Sequence, residues 1–207
     1  MIIVIIYVLY KGESYMKKIL IETSARHIHL SEKDLKILCG EDATLEVRGP
    51  LSQPGQFSTT TRLTIVGAKR NIERVTVLGP TRKDTQVEVS LTDAFTLGLD
   101  VPVRESGDIK GTPGVKLVGP AGEVTLEQGL IVAKRHIHMT PADAKEFNVK
   151  NGEVVGVRVK TCDRSLVFED VVVRVREDFA LAMHIDTDEA NAAGICGEVY
   201  GEIVKLA

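Results

Sequence analysis

Arg26-His27-Ile28-His29-Leu30-Ser31 returns 109 residues later as Arg135-His136-Ile137-His138-Met139-Thr140, and the reading of these two stretches decides the fold. They hold four of the five histidines in the chain. Side chains on a β-strand alternate between its faces, so His27 and His29 project together while Ile28 points into a core; His136 and His138 do the same about Ile137. Two parallel imidazoles are half a zinc site, because neutral imidazole is the commonest nitrogen ligand and the site needs further ligands from elsewhere. The fifth histidine, His184, is the obvious recruit. Each pair runs into a helix start. Ser31 with Asp34, and Thr140 with Asp143, set an N-cap hydroxyl three residues ahead of a carboxylate, and Pro141 takes the first helical position, where its missing N–H does no harm. A repeat at this distance is far longer than a solenoid unit and predicts two similar domains facing each other.

The chain has 207 residues, enough for one large domain or two small ones. Its 26 basic and 29 acidic residues give a formal charge of −3, without basic runs or interleaved aromatics, which argues against nucleic acid as a partner. Cys39, Cys162 and Cys196 are odd in number, far apart and never in a Cys-x-x-Cys pair. They fit a reducing, cytoplasmic setting and read as inert thiols. Residues 1–10 are apolar, but a spanning helix needs roughly 20 such residues, and the basic flank and cleavage site of a signal peptide are missing. No membrane association is expected. Met16, followed by Lys17, Lys18 and a clean strand, reads as a natural start, which makes residues 1–15 an N-terminal extension outside the core.

Short segments rich in Val, Ile, Leu and Thr predict strands at 18–22, 44–48, 62–66, 73–78, 85–90, 115–118, 130–133, 153–160, 170–176, 181–184 and 199–205. Gly-Pro pairs at 49–50, 79–80 and 119–120 and Asn151-Gly152 punctuate them, a spacing that suits barrels or sandwiches. Helices are predicted at 31–38, 92–99, 141–147 and 187–193.

Three further segments could complete a site. Alternation over residues 86–90 puts Gln86, Glu88 and Ser90 on one face, where Glu88 could ligate a metal, and Arg82 in the preceding turn could hold an anion in its planar fork. In Ala182-Met183-His184-Ile185-Asp186 a strand ends at His184 and enters a capped helix. Residues 49–56 read as an irregular loop of the kind that covers a substrate.

Arg-His-Ile-His-Leu-Ser, Gly79-Pro80-Thr81-Arg82 with Gln86-Val87-Glu88-Val89-Ser90, the second Arg-His-Ile-His, and Met183-His184-Ile185-Asp186-Thr187-Asp188-Glu189-Ala190-Asn191 together resemble the PduL-type phosphotransacylases, or phosphate propanoyltransferases, over about residues 17–207. The resemblance implies a mainly β fold of two β-barrels in a pseudo-two-fold relation, capped by short α-helices. Residues 16–25 with 134–207 would form one barrel and 26–133 the other. It implies two zinc ions per chain, one on His27, His29 and Glu88 and one on His136, His138 and His184, with Asn191 near the second. Arg82 matches the phosphate-contacting arginine. Ser24, Gln53, Gln86, Ser106 and Arg174 fall where the family lines its substrate site, and Phe95 resembles an aromatic beside coenzyme A and the subunit interface of a homodimer.

The implied activity is reversible transfer of an acyl group, propanoyl or acetyl, between coenzyme A and inorganic phosphate, by direct attack of zinc-bound phosphate on the thioester. Members that enter bacterial microcompartments carry an amphipathic N-terminal helix, and residues 1–10 lack the polar face such a helix needs. The cytoplasm is therefore the expected location, and a bacterial microcompartment stays open as an alternative that the N-terminus does not support. A second reading keeps the metals and makes the protein a dinuclear zinc hydrolase acting on thioesters or phosphoesters. A third makes the metals structural in a binding module. Three ligands per metal and no thiolate among them argue against that.

Overall fold

Both copies of the repeated hexapeptide fold as a strand feeding a capped helix. The computed structural model describes residues 18–204, so the readings of residues 1–15, of a start at Met16 and of a last strand reaching residue 205 fall outside the described residues. In chain order the elements are β1 (Ile19–Ser24), β2 (His27–Ser31), α1 (Glu32–Cys39), β3 (Val47–Pro50), β4 (Phe57–Val66), β5 (Ile72–Arg82), β6 (Gln86–Val89), α2 (Leu91–Leu97), β7 (Val103–Arg104), β8 (Lys116–Val118), β9 (Glu123–Thr125), β10 (Leu130–Ala133), β11 (His136–Met139), α3 (Pro141–Phe147), β12 (Val154–Val159), β13 (Leu166–Val175), β14 (Ala182–Asp186), α4 (Thr187–Ala193) and β15 (Val199–Val204).

The fold is mainly β. Six strands close a barrel in the order β1-β14-β11-β13-β12-β15, and nine form a second, curled sheet in the order β7-β10-β6-β2-β5-β4-β8-β9, with β3 paired to β4. The run β10-β6-β2-β5-β4-β8 repeats the barrel order with the same alternation of parallel and antiparallel neighbours. Among the described residues only the barrel joins its ends, through β1 and β15. In the larger sheet the corresponding edges pair with β7 and β9 instead. The halves also exchange strands. β1 directly precedes β2 yet lies in the barrel with β14, and β10 directly precedes β11 yet lies in the larger sheet with β6.

Each half has its own core, and each central isoleucine of the repeat is fully buried in one. Ile28 packs with Leu30, Leu38, Leu63 and Leu117, and Ile137 with Ile19, Met139, Val157 and Met183. Complete burial of such a side chain contributes about 1.5–3 kcal/mol, so the alternation that sinks Ile28 and Ile137 is strongly held. The flanking histidines are thereby forced to the opposite face.

The helices start where the capping chemistry puts them. Thr140 and Asp143 form a capping box on α3, Asp186 and Glu189 one on α4, and Ser90 and Asp93 one on α2, which starts at Leu91. The first copy differs. Ser31 accepts from the Asp34 N–H, but the Asp34 carboxylate accepts from the Thr85 hydroxyl (2.5 Å), whose oxygen takes the Ser31 N–H instead.

Several strands are longer than their apolar runs suggest. β4 begins at Phe57 because Thr59 is buried, its hydroxyl donating to the Val77 carbonyl (2.7 Å). β5 continues through Gly79-Pro80 to Arg82, and a Cβ on Gly79 would collide with the Phe57 ring. β13 begins at Leu166, since Glu169-Asp170 is a bulge inside the strand, with Asp170 at φ 55°, and not its start. β7 and β9 were not anticipated; at two and three residues they carry no periodicity.

Candidate metal and anion site

The histidines of both repeats face one cavity of about 760 Å3 between the two halves. In the first triad His27 stands opposite Glu88 across the β2–β6 ladder. Its Nε2 lies 3.4 Å from Glu88 Oε2, and His29 Nε2 lies 4.0 Å from Oε1. In the second, His136 stands opposite His184 across β11–β14. The ring centroids there are 4.6 to 5.2 Å apart. Glu88 and His184 therefore occupy equivalent places in the two halves. Within each triad the donor atoms all lie within 4.8 Å of one another, a spacing that suits one ion per triad.

The tautomers are partly set by the backbone. Nδ1 of His27 is 2.8 Å from the Ala25 carbonyl and Nδ1 of His136 is 2.8 Å from that of Lys134, so the neutral form of each ring carries its proton on Nδ1 and its lone pair on Nε2. His29 Nδ1 and His138 Nδ1 are buried with no hydrogen-bond partner among the described residues. Buried polar atoms are rarely left unpaired, so these rings fit a ligand set better than a packing role.

Charge follows from burial. Burial, with the neighbouring His184 and Arg174, brings His136 down to about 4 despite its bond to Lys134. Burial likewise brings His184 to about 4 and His138 to about 2, and holds His29 well below its ordinary value. At neutral pH these four rings are neutral, the form a metal requires. His27 and Glu88 act as a pair. Burial opposes charge on both, but their mutual attraction and hydrogen bonding raise His27 and hold Glu88 below the usual carboxylate range.

Glu88 is braced from behind. Gln86 Nε2 (2.6 Å) and the Ser106 hydroxyl (2.8 Å) both donate to its Oε1, and the Gly107 N–H fixes Gln86 by donating to its amide oxygen (2.7 Å). Gln86 thus supports the wall and does not line the cavity. Arg82, at the end of β5, donates to Ser106 (3.3 Å) and faces the cavity, as does Arg174, opposite His138 on β13. Burial lowers the Arg82 pKa, the Glu88 charge raises it and Arg174 lowers it. Two guanidiniums that feel each other in a part-buried cavity are suited to hold an anion.

The loop after β3 crosses from the larger sheet to the barrel. Gln53 is buried, donates to the Ala180 carbonyl (3.0 Å), accepts from the Ala180 N–H (3.2 Å), and brings Nε2 to 3.4 Å from His184 Nε2. Ser24 lines the same cavity. Phe95 does not. It is 76% exposed on α2, with Lys69 Nζ 4.9 Å from its ring centroid. Asn191 is exposed on α4 and lines neither this cavity nor the smaller one beside it. The arginine that opens each repeat makes a brace, Arg26 to Asp93 (2.5 Å) and Arg135 to Glu189 (2.7 Å), each time to the carboxylate that closes a helix capping box.

Sequence reasoning missed Glu22, Arg176 and Phe179. Phe179 stacks on His138 with centroids 4.0 Å apart, the Arg176 guanidinium lies over the Phe179 ring 4.8 Å from its centroid, and Glu22 Oε2 lies 3.5 Å from His184 Nδ1. Glu22 was within reach, since it shares a face of β1 with Ser24. Phe179 sits in a turn and carries no pattern. Cys39, Cys162 and Cys196 are free and line neither cavity, and no helix among the described residues is long and apolar enough to cross a membrane.

A barrel and its half-open counterpart bring two candidate ligand triads and two arginines to one cavity, an arrangement that suits an enzyme acting on an anion. The comparisons with known proteins narrow this. A model of the phosphate propanoyltransferase family matches residues 20–196. The phosphate propanoyltransferase of Thermotoga maritima is 55% identical over 84% of this chain and 83% of its own length. That of Clostridioides difficile is 50% identical over 95% and 92%, and that of Listeria monocytogenes 52% over 89% and 86%. The chain belongs to the phosphate propanoyltransferase family, a family of acyltransferases.

Proposed function

We propose that this enzyme interconverts acyl-CoA and inorganic phosphate with acyl phosphate and coenzyme A, with propanoyl or acetyl as the acyl group, by direct attack of phosphate on the thioester. The observation that carries the reading is that both triads, Arg82 and Arg174 face one cavity. The triads fit zinc, as the unpartnered nitrogens of His29 and His138 indicate. Two zinc ions, one on His27, His29 and Glu88 and one on His136, His138 and His184, would supply Lewis-acid charge for phosphate and for the thioester oxygen.

The chain's own residues do the rest. Phosphate is a weak nucleophile whose charge opposes approach to a carbonyl that turns negative, so Arg82 and Arg174 offset that charge and hold the anion beside the thioester. Ser106 orients Arg82 from the side while holding Glu88. Gln53 seals the loop onto Ala180 and limits water, the competing nucleophile. An acyl-enzyme has no ready nucleophile here. No cysteine lines the cavity, the Ser106 hydroxyl is given to Glu88 and that of Ser52 to Glu22, and Ser24, the third serine on the wall, has no histidine to spare as its base because all five belong to the triads. The test is thiol release from propanoyl-CoA with and without phosphate. Transfer requires phosphate for release and yields propanoyl phosphate; release that proceeds equally without phosphate makes the protein a hydrolase.

A further inference from the structure

The proposed chemistry leaves Glu22 without a task, although it touches one of the triads. The third ligand of each triad lies on a strand flanked by an exchanged neighbour, β10 beside β6 and β1 beside β14, and the registers pair Ile131 with Glu88 and Glu22 with His184. The two halves therefore make opposite choices at equivalent places. One has a carboxylate in the triad and an aliphatic neighbour. The other has an imidazole in the triad and a carboxylate neighbour.

The surroundings of His184 select one tautomer. Glu22 Oε2 stands 3.5 Å from Nδ1, just beyond a closed hydrogen bond, and on the other side of the ring the amide nitrogen of Gln53, a donor, stands 3.4 Å from Nε2. A carboxylate against one nitrogen and a donor against the other put the proton on Nδ1 and the lone pair on Nε2. His27 and His136 reach the same state through the backbone carbonyls of Ala25 and Lys134. A carboxylate acceptor does more than a carbonyl, because it also makes the ring a stronger donor to a metal. The Glu22 side chain is 27% exposed, and the oxygen that faces His184 also accepts the Ser52 hydroxyl from the covering loop.

We propose that Glu22 is a positioning residue for His184. It fixes the ring's tautomer, strengthens the second triad as a zinc site, and ties the loop carrying Ser52 and Gln53 to that triad. The inference rests on the reading that the triads hold zinc, and its test separates the two. Zinc is removed from the full chain with a chelator and titrated back against a chromophoric competitor, with His136→Ala marking which site belongs to the second triad. The wild-type chain should take two zinc ions. Glu22→Ala should keep the first site unchanged and lose ten- to a hundredfold in affinity at the second, the range seen for outer partners of ligating histidines. Glu22→Gln, whose amide oxygen still accepts from Nδ1, should recover part of that loss and serves as the probe if the alanine variant does not fold. Affinity equal to wild type at the second site in either variant, or a loss confined to the first site, overturns the role of Glu22. A wild-type chain that binds no zinc overturns the reading beneath it as well.

Discussion

Stripped of metal and taken from pH 7 to pH 5, the chain should lose at least about 2 kcal/mol of folding stability. His136 and His184 are largely buried and titrate near 4 in the fold, against an ordinary value of 6.5. Between those two values the unfolded chain binds protons that the folded chain refuses, so stability rises with pH through the window and falls as pH drops from about 6.5 toward 4. At 1.36 kcal/mol per pH unit, one such histidine is worth about 3 kcal/mol over the whole window, of which roughly 2 is reached by pH 5. His138 acts in the same direction. The shift of His136 includes the charge of His184, so the contributions overlap and one histidine sets the floor. His27 works against the trend only at the top of the range, because its raised pKa adds stability as pH falls toward 6.5 and adds no more below it. Urea unfolding of the metal-free chain at pH 7, 6 and 5, compared at constant m-value, measures the loss, and His136→Gln should flatten the profile. A stability that stays level or increases toward pH 5 refutes the placement of these rings as buried and neutral.

Arg82→Ala should lower turnover roughly a hundredfold, the usual scale for removing one contact to developing charge; initial rates at saturating acyl-CoA and phosphate measure it, and near-wild-type turnover would remove Arg82 from the reaction. Cys39→Ser, Cys162→Ser and Cys196→Ser should each retain most activity in the same assay, since none of these thiols lines the cavity. Ile137→Ala should cost about 2–5 kcal/mol in urea, because it empties a fully buried position between His136 and His138. A cost below 1 kcal/mol would mean that the second core does not hold that strand.

What the sequence revealed is what local chemistry specifies. The helices at Pro141–Phe147 and Thr187–Ala193 carry proline or carboxylate caps at their starts and αL residues after their ends, and both were read with the observed bounds. The His-Ile-His repeats declared their faces because burial of Ile28 and Ile137 leaves no choice of side. Pairing across the molecule was harder to read. Nothing local to Glu22 shows that β1 crosses to the barrel and lies beside His184, and nothing local to Phe179 shows that its turn folds back onto His138. The closure of only one sheet is similarly invisible, since it depends on whether β15 finds β1 while β8 takes β9. Phe95 and Asn191 stand apart from the cavity because α2 and α4 present them to solvent.

The central claim is that the acyl group passes directly from sulfur to phosphate in one cavity. Exchange of labelled coenzyme A into propanoyl-CoA, followed with phosphate rigorously removed and alongside initial-rate kinetics, tests it most directly. The account predicts no exchange without phosphate and intersecting double-reciprocal lines, as a ternary complex requires. Exchange without phosphate together with parallel lines would contradict it, because coenzyme A would then be leaving an acylated side chain.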